Sequence, residues 1–274
     1  MPIKKEETDI FYTEKKVSHS SHPILIGCDD VFLPLTIKRK DNTSNSSSCK
    51  IKILSELNSN INGSNINRIS DFLFENKFSS IEELVKLYIN TFKDELNSTS
   101  GILGVNFDYF LNKKSPVSNK ISISRYESYI EAVFDENKTR FILKTNIPYS
   151  SLCPVSKEIS DYGAHNQRCM AEISVEILDI LEKKTFWVED IVDLVEKSCS
   201  CPVYNSSSLQ DEAYQTEMMY ENPFFIEEIC EKIKNNLQKH INKKSINDFS
   251  IILNQKESIN SFTFKAKTNF GHLL

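Results

Sequence analysis

Apolar residues recur along this chain with two different periods, and each change of period marks an element. "ILIGCDDVFLPLTIKRK" and "IKILSEL" read as strands, and the polar run "DNTSNSSSCK" (41–50) between them as a long solvated hairpin loop. "NRISDFLFEN" then predicts a short helix and "SSIEELVKLYINTFKDELN" a long one. In the long helix Ile81, Leu84, Val85, Tyr88, Phe92 and Leu96 share one face, and Ser80 with Glu83 forms a capping box at its start. Three strands follow: "GILGVNFDYFLNK", "NKISISRYESYIEAVFD" and "KTRFILKTNIPYS". The tight connection "DENK" predicts an antiparallel hairpin between the last two.

The second half repeats this order loosely. "AEISVEILDILE" reads as a strand and "VEDIVDLVEKS" as a short helix. "NPFFIEEICEKIKNNLQKHI" reads as a long helix with Phe225, Ile226, Ile229, Ile233, Leu237 and Ile241 on its apolar face. The strands "DFSIILNQKES" and "SFTFKAKT" close the chain. Long antiparallel strands with paired helices, given twice, predict an α+β fold with the helices on one face of the sheet. Residues 1–20 read as a flexible tail, and no tandem repeat of short period is visible.

Composition narrows the function. Of 274 residues, 39% are hydrophobic and 26% charged, a globular balance able to form a sizeable core. The formal charge is -5, and only five of 33 cations are Arg, which argues against a nucleic-acid binder. No apolar run approaches the roughly 18 residues of a membrane span, and Met1 to Ser21 is polar and mixed in charge; both point away from a membrane and toward the cytoplasm. Seven scattered cysteines suit reduced thiols better than a disulfide framework. Cys199 and Cys201 stand too close together for a zinc knuckle and read as small packing residues.

Reactive side chains are densest in "SLCPVSKEISDYGAHNQRC", residues 151–169. Cys153 and His165 lie twelve apart across a stretch with Pro154 and Gly163, on what reads as irregular backbone able to bring a thiol and an imidazole together. By spacing alone this is a Cys/His metal site, an activated thiolate, or a buried thiol beside a surface His.

The wording of the segment adds a resemblance. "CPVSKEISDYGAHNQR" closely resembles the signature of the type IB GTP cyclohydrolases, the FolE2 family with its archaeal MptA relatives, which reads C-P-C-S-K-x-I-S-x-Y-G-A-H-N-Q-R. "CPVYNSSSLQDEAYQTEMMYENPFFIEEI" resembles a second family block, and "NGSNINRISDFL" and "NQKESIN" are weaker echoes. Together they span about residues 22 to 266.

The resemblance implies a bimodular tunnelling fold, with modules at 21–150 and 151–274, in a homodimer or homotetramer whose active sites lie at subunit interfaces. It implies conversion of GTP to 7,8-dihydroneopterin triphosphate and formate, the entry to folate-type pterins. Water must add to C8 of guanine before the imidazole ring opens. A divalent metal (Zn, Mn or Fe) can acidify that water, and a His can move protons near neutral pH. Carried over by position, Cys153 and His165 match catalytic residues at the metal centre, and Glu212 and Glu257 match metal-site carboxylates. Glu227 matches the carboxylate that anchors the purine edge. Arg68, Arg168, Lys157 and Lys120 remain as contacts for phosphate.

The departures carry as much weight. The family reads E-S-I-H where this chain has Asn260 after "ESI", and a further His is replaced at Phe262. The His of the family's H-M-S-R is Asn65, and two cations of L-L-K-R become Ser208 and Leu209. Asn is a weak neutral ligand, so metal binding should be weakened or absent, and triphosphate binding should be poorer. A non-catalytic scaffold or regulator is disfavoured by so complete a Cys-to-Arg signature, and two readings stay open: a divergent cyclohydrolase, or a repurposed relative in specialised metabolism. In the second, Cys153 acts without a metal as a nucleophile, helped by His165, on another planar nitrogenous or acyl substrate.

Overall fold

The computed structural model describes residues 25–56, 65–95, 98–135, 138–180, 186–205 and 208–273. The expected tail and Leu96 lie outside them, as does the side chain of Asn65. The strands are β1 (Ile26–Lys38), β2 (Ser44–Ser55), β3 (Gly101–Lys114), β4 (Ile121–Phe134), β5 (Thr139–Leu152), β6 (Asn166–Ile177), β7 (Cys201–Pro202), β8 (Ile246–Glu257) and β9 (Thr263–Asn269). The helices are α1 (Asn65–Glu75), α2 (Ile81–Tyr88), α3 (Pro154–Ile159), α4 (Val188–Glu196), α5 (Leu209–Glu221) and α6 (Ile226–Asn242). A π-helical stretch, Ile89–Glu95, continues α2.

One antiparallel sheet runs β1-β2-β3-β4-β5-β6-β8-β9, and the short β7 pairs with the end of β5. Two helices, α1 and α2, fill the crossover from β2 to β3. The crossover from β6 to β8 carries α4, α5 and α6. Each crossover thus joins strands of the one sheet, and the expected boundary at 150/151 falls inside β5.

Strand alternation decides which sheet face is covered. On β5, Phe141, Leu143, Thr145, Ile147 and Tyr149 are buried while their neighbours are partly open. The buried face packs against the helices, and Leu84, Val85, Tyr88, Phe92, Ile191, Val195, Ile229, Ile233 and Leu237 share its core. Each such side chain removed from water contributes roughly 1.5–3 kcal/mol. The opposite face is polar, with Arg125, Glu127, Arg168 and Lys256 exposed.

Three expectations change. Residues 44–50 extend β2 instead of forming a loop, so the hairpin turn is confined to about Lys40–Thr43, with Asn42 at φ 66. Their Ser-rich polarity reflects a strand end that projects into solvent. At α2, Ser80 caps Glu83 as predicted, but the Glu83 carboxylate accepts from Ser79 and not from Ser80. On α6, Phe225 is the capping residue and stands 43% exposed, so Ile229, Ile233 and Leu237 seat the helix without it.

Candidate active site

The signature segment closes on itself. Pro154, which has no N–H to lose, opens the short helix α3, so the backbone after Cys153 is helical and not irregular. Cys153 caps that helix, and its Sγ accepts the Ser156 N–H at 3.4 Å. Ser156 Oγ in turn accepts the His165 N–H at 3.2 Å, and the Cys153 N–H reaches the His165 carbonyl at 3.3 Å. Gly163, at φ 122, lets the intervening turn double back. Cys153 and His165 therefore occupy one corner, at the end of the sheet where β5 stops and β6 starts. Ser156 joins the two residues by these hydrogen bonds, a link that spacing alone does not single out.

Glu257 joins this corner from the end of β8. The Gln167 side-chain nitrogen lies 3.4 Å from His165 Nε2 and donates to Glu257 Oε1 at 3.4 Å. Gln255 donates to the same oxygen at 3.3 Å, and Asn260 donates to Oε2 at 2.6 Å. Asn260, at the position where the resemblance implies a His, thus donates to Glu257. Gln167 and Gln255 are nearly fully buried, and the carbonyl oxygen of each has no partner among the described residues.

The other candidate acids stand at helix starts, and one rule sorts them. At α5, Asp211 is consumed by capping: it accepts from the N–H and Oγ of Ser208 and from the N–H groups of Val117 and Ser118. At α6, Glu228 accepts the Phe225 N–H at 2.8 Å. Each helix uses one acid of its pair and leaves the other, Glu212 or Glu227, exposed and without a side-chain partner among the described residues. The Glu227 loop is stapled to the signature segment by Ser151 Oγ, which donates to the Phe224 carbonyl at 3.1 Å. Lys157 adds a second staple, its Nζ donating to the Tyr220 carbonyl at 2.5 Å and lying over the Tyr220 ring.

Arg68 lies on α1, with a buried Nη1 that has no partner among the described residues. Arg168 lies on the polar sheet face, and Lys120 ends the β3–β4 turn. Arg68, Glu212 and Glu227 share no hydrogen bond or ion pair with the Cys153–His165–Glu257 cluster among the described residues. Thiol, imidazole and carboxylate suit a divalent transition metal in kind. Among the described residues of one chain, no three His, Cys, Asp or Glu side chains come together closely enough to hold one.

Asp211 carries a pH signature. Burial raises its pKa, but hydrogen bonds from Ser118, Ser208 and Val117 outweigh burial and hold it well below the usual carboxylate range. A depressed folded pKa gives stability that is fully present above the unfolded value, about 3.9, and is lost as pH falls through the folded one. Asp211→Asn should therefore melt below wild type at neutral pH, with the gap closing in acid below about pH 4. Melting curves across that range check this; a gap constant with pH would contradict it.

Comparison with known proteins supplies the family. The family described as type I GTP cyclohydrolase FolE2 matches residues 14–266. The chain belongs to that family. GTP cyclohydrolase FolE2 of Caldicellulosiruptor bescii is 35% identical over 210 residues, covering 76% of this chain and 78% of that protein. The protein of that name from Dictyoglomus thermophilum is 36% identical, covering 78% and 80%. The one from Thermosipho africanus is 30% identical, covering 89% and 91%. Among solved structures, uricase from Arthrobacter globiformis matches 92% of this chain and 95% of its own with a TM-score of 0.54 at 10% identity. A uricase from Bacillus fastidious matches with a TM-score of 0.51 at 9% identity. That likeness shows the fold alone, the tunnelling fold, and agrees with the α+β architecture described above.

Proposed function

We propose that this FolE2 protein is a GTP cyclohydrolase that adds water at C8 of guanine, opens the imidazole ring and yields formate with 7,8-dihydroneopterin triphosphate. The observation that carries the reading is the folded signature: Cys153 and His165 are locked in one corner through Ser156, and Gln167 ties His165 to Glu257. His165 is the group that takes and returns protons at the purine. Glu227, left free by its helix, accepts paired hydrogen bonds from guanine N1–H and the 2-amino group and fixes the ring.

Cys153, His165, Glu257 and Glu212 are the donors that the family resemblance assigns to a divalent metal, which would acidify water and polarise the purine, but among the described residues of one chain no three of them stand close enough to hold it. Asn260 leaves that set one imidazole short and steadies Glu257 instead. The site works between copies of the chain in this reading, since Arg68, Glu212 and Glu227 share no hydrogen bond or ion pair with the Cys153 corner of their own chain, and β1 and β9 each have an outer edge unpaired among the described residues. All seven cysteines are free thiols, which fits a reducing compartment such as the cytoplasm.

The test is base-selective turnover. With Zn, Mn or Fe(II) supplied, the protein should release formate from GTP and discriminate against inosine triphosphate, which lacks the 2-amino group, by up to about 10⁴-fold, because the Glu227 carboxylate would lose a partner. No formate from GTP with any of these metals would reject the reading. Equal turnover of both nucleotides would reject the role of Glu227.

A further inference from the structure

Two aromatic rings stand in solvent beside the His165–Gln167–Glu257 cluster. Phe262 is 57% exposed and Phe264 41%, and they meet edge to face, with centroids 5.1 Å apart and planes at 67°. Both lie outside the core. An edge-to-face pair leaves one ring with both faces free. Strand register places the pair. Phe264 on β9 lies directly opposite Gln255 on β8, and Glu257 lies directly opposite Gln167 on β6. Opposed residues point to the same side of a sheet, as do residues two apart on one strand. Phe264 therefore shares a sheet face with Gln167, Gln255 and Glu257, whose side chains are already joined by hydrogen bonds. The same register, carried one step past the last pair of Lys256 with Thr263, sets Phe262 beside Glu257. A single exposed apolar residue needs no explanation, but two paired rings at the rim of a polar cluster make an apolar face of ligand size.

We propose that Phe262 and Phe264 form a platform on which the planar base of the substrate stacks at the Cys153–His165 corner; as a role in the reaction, this rests on the function proposed above. Phe262 stands where the resemblance implies a His, so the platform is a departure of this chain from the family pattern. A purine fits the platform for two reasons. It has a flat π face, and stacking on an aromatic side chain holds a base without reading its edges. Stacking also leaves the ring edges free, one for the Glu227 carboxylate and the C8 edge for His165.

The experiment follows binding of 7-deazaguanosine 5′-monophosphate to the zinc-supplied full-length protein by proton NMR, with ribose 5-phosphate as the control that lacks a base. The deaza base has carbon in place of N7 and is not opened by water, and an aromatic ring beneath it moves its C8 proton signal upfield. Wild type should show that shift. Phe262→Leu, which keeps an apolar side chain but removes the ring, should abolish it and weaken binding about five- to hundredfold, the range for loss of one base–aromatic stack. Ribose 5-phosphate should bind Phe262→Leu as it binds wild type, and Phe262→Tyr should keep both shift and affinity. For GTP, Phe262→Leu should raise KM with kcat little changed, since a stack holds ground state and transition state alike. Melting curves and size-exclusion chromatography should match wild type, because both rings are exposed. No upfield shift in wild type, or a Phe262→Leu protein that keeps shift and affinity, rejects the platform whatever the activity toward GTP. An equal loss of ribose 5-phosphate binding, or a change in oligomeric size in Phe262→Leu, also rejects it, because the rings then pack on a second copy of the chain and not on a base. If GTP yields no formate but shift and affinity still fall in Phe262→Leu, the proposed function fails while the platform stands.

Discussion

Cys153→Ala should lower formate release from GTP by about a thousandfold or more, equivalent to about 4 kcal/mol at the transition state, with the fold intact. The fold should survive because Cys153 is half-buried, and its Sγ makes one long hydrogen bond, to Ser156, at the start of a six-residue helix with no buried side chains. The activity should not survive, because Cys153 is the thiol in the corner that also holds His165. His165→Ala should cost a similar factor, and the double variant little more than either alone, since groups that act as a unit are not additive. A Cys153→Ala enzyme within tenfold of wild type, with unchanged circular dichroism, would remove the thiol from the mechanism.

Ile233→Ala should destabilise the protein by about 2–5 kcal/mol, the usual cost of emptying a fully buried aliphatic site. Ile233 sits midway along α6, fully buried between Ile229 and Leu237, where the helix rests on β8 and β9. The same helix presents Glu227 in its first turn. The variant should therefore also bind GTP less well at temperatures where it remains folded. Urea unfolding at fixed protein concentration checks the first effect, through a lower midpoint with an unchanged slope. A midpoint equal to wild type would mean that α6 does not depend on this seat.

The sheet and most helices were legible because period and burial agree. In β4 the alternation of "ISISRYESYIEAVF" maps onto one covered face, and Ile81, Leu84, Val85 and Tyr88 of α2 are all buried. Helix α5 escaped the pattern because Asp211 is its one buried residue, so it shows no apolar stripe. Residues 44–50 misled because polarity reports solvent and not backbone shape: a projecting strand is as wet as a loop. At the site, residue type and wording exposed Cys153 and His165, but Ser156, Gln167 and Gln255 were silent. Their roles come from contacts between β6, β8 and α3 that spacing cannot show. Glu212 and Glu227 were named by resemblance. The physical reason they are free, that Asp211 and Glu228 do the capping, came only from the hydrogen bonds.

The fate of one atom tests the central claim. GTP labelled with ¹³C at C8 should be incubated with the metal-supplied protein and followed by NMR, with the protein then weighed by mass spectrometry. The label should leave the purine as formate, and the protein mass should be unchanged. Label that stays in an intact purine, or that ends in a stable adduct on Cys153, would contradict it.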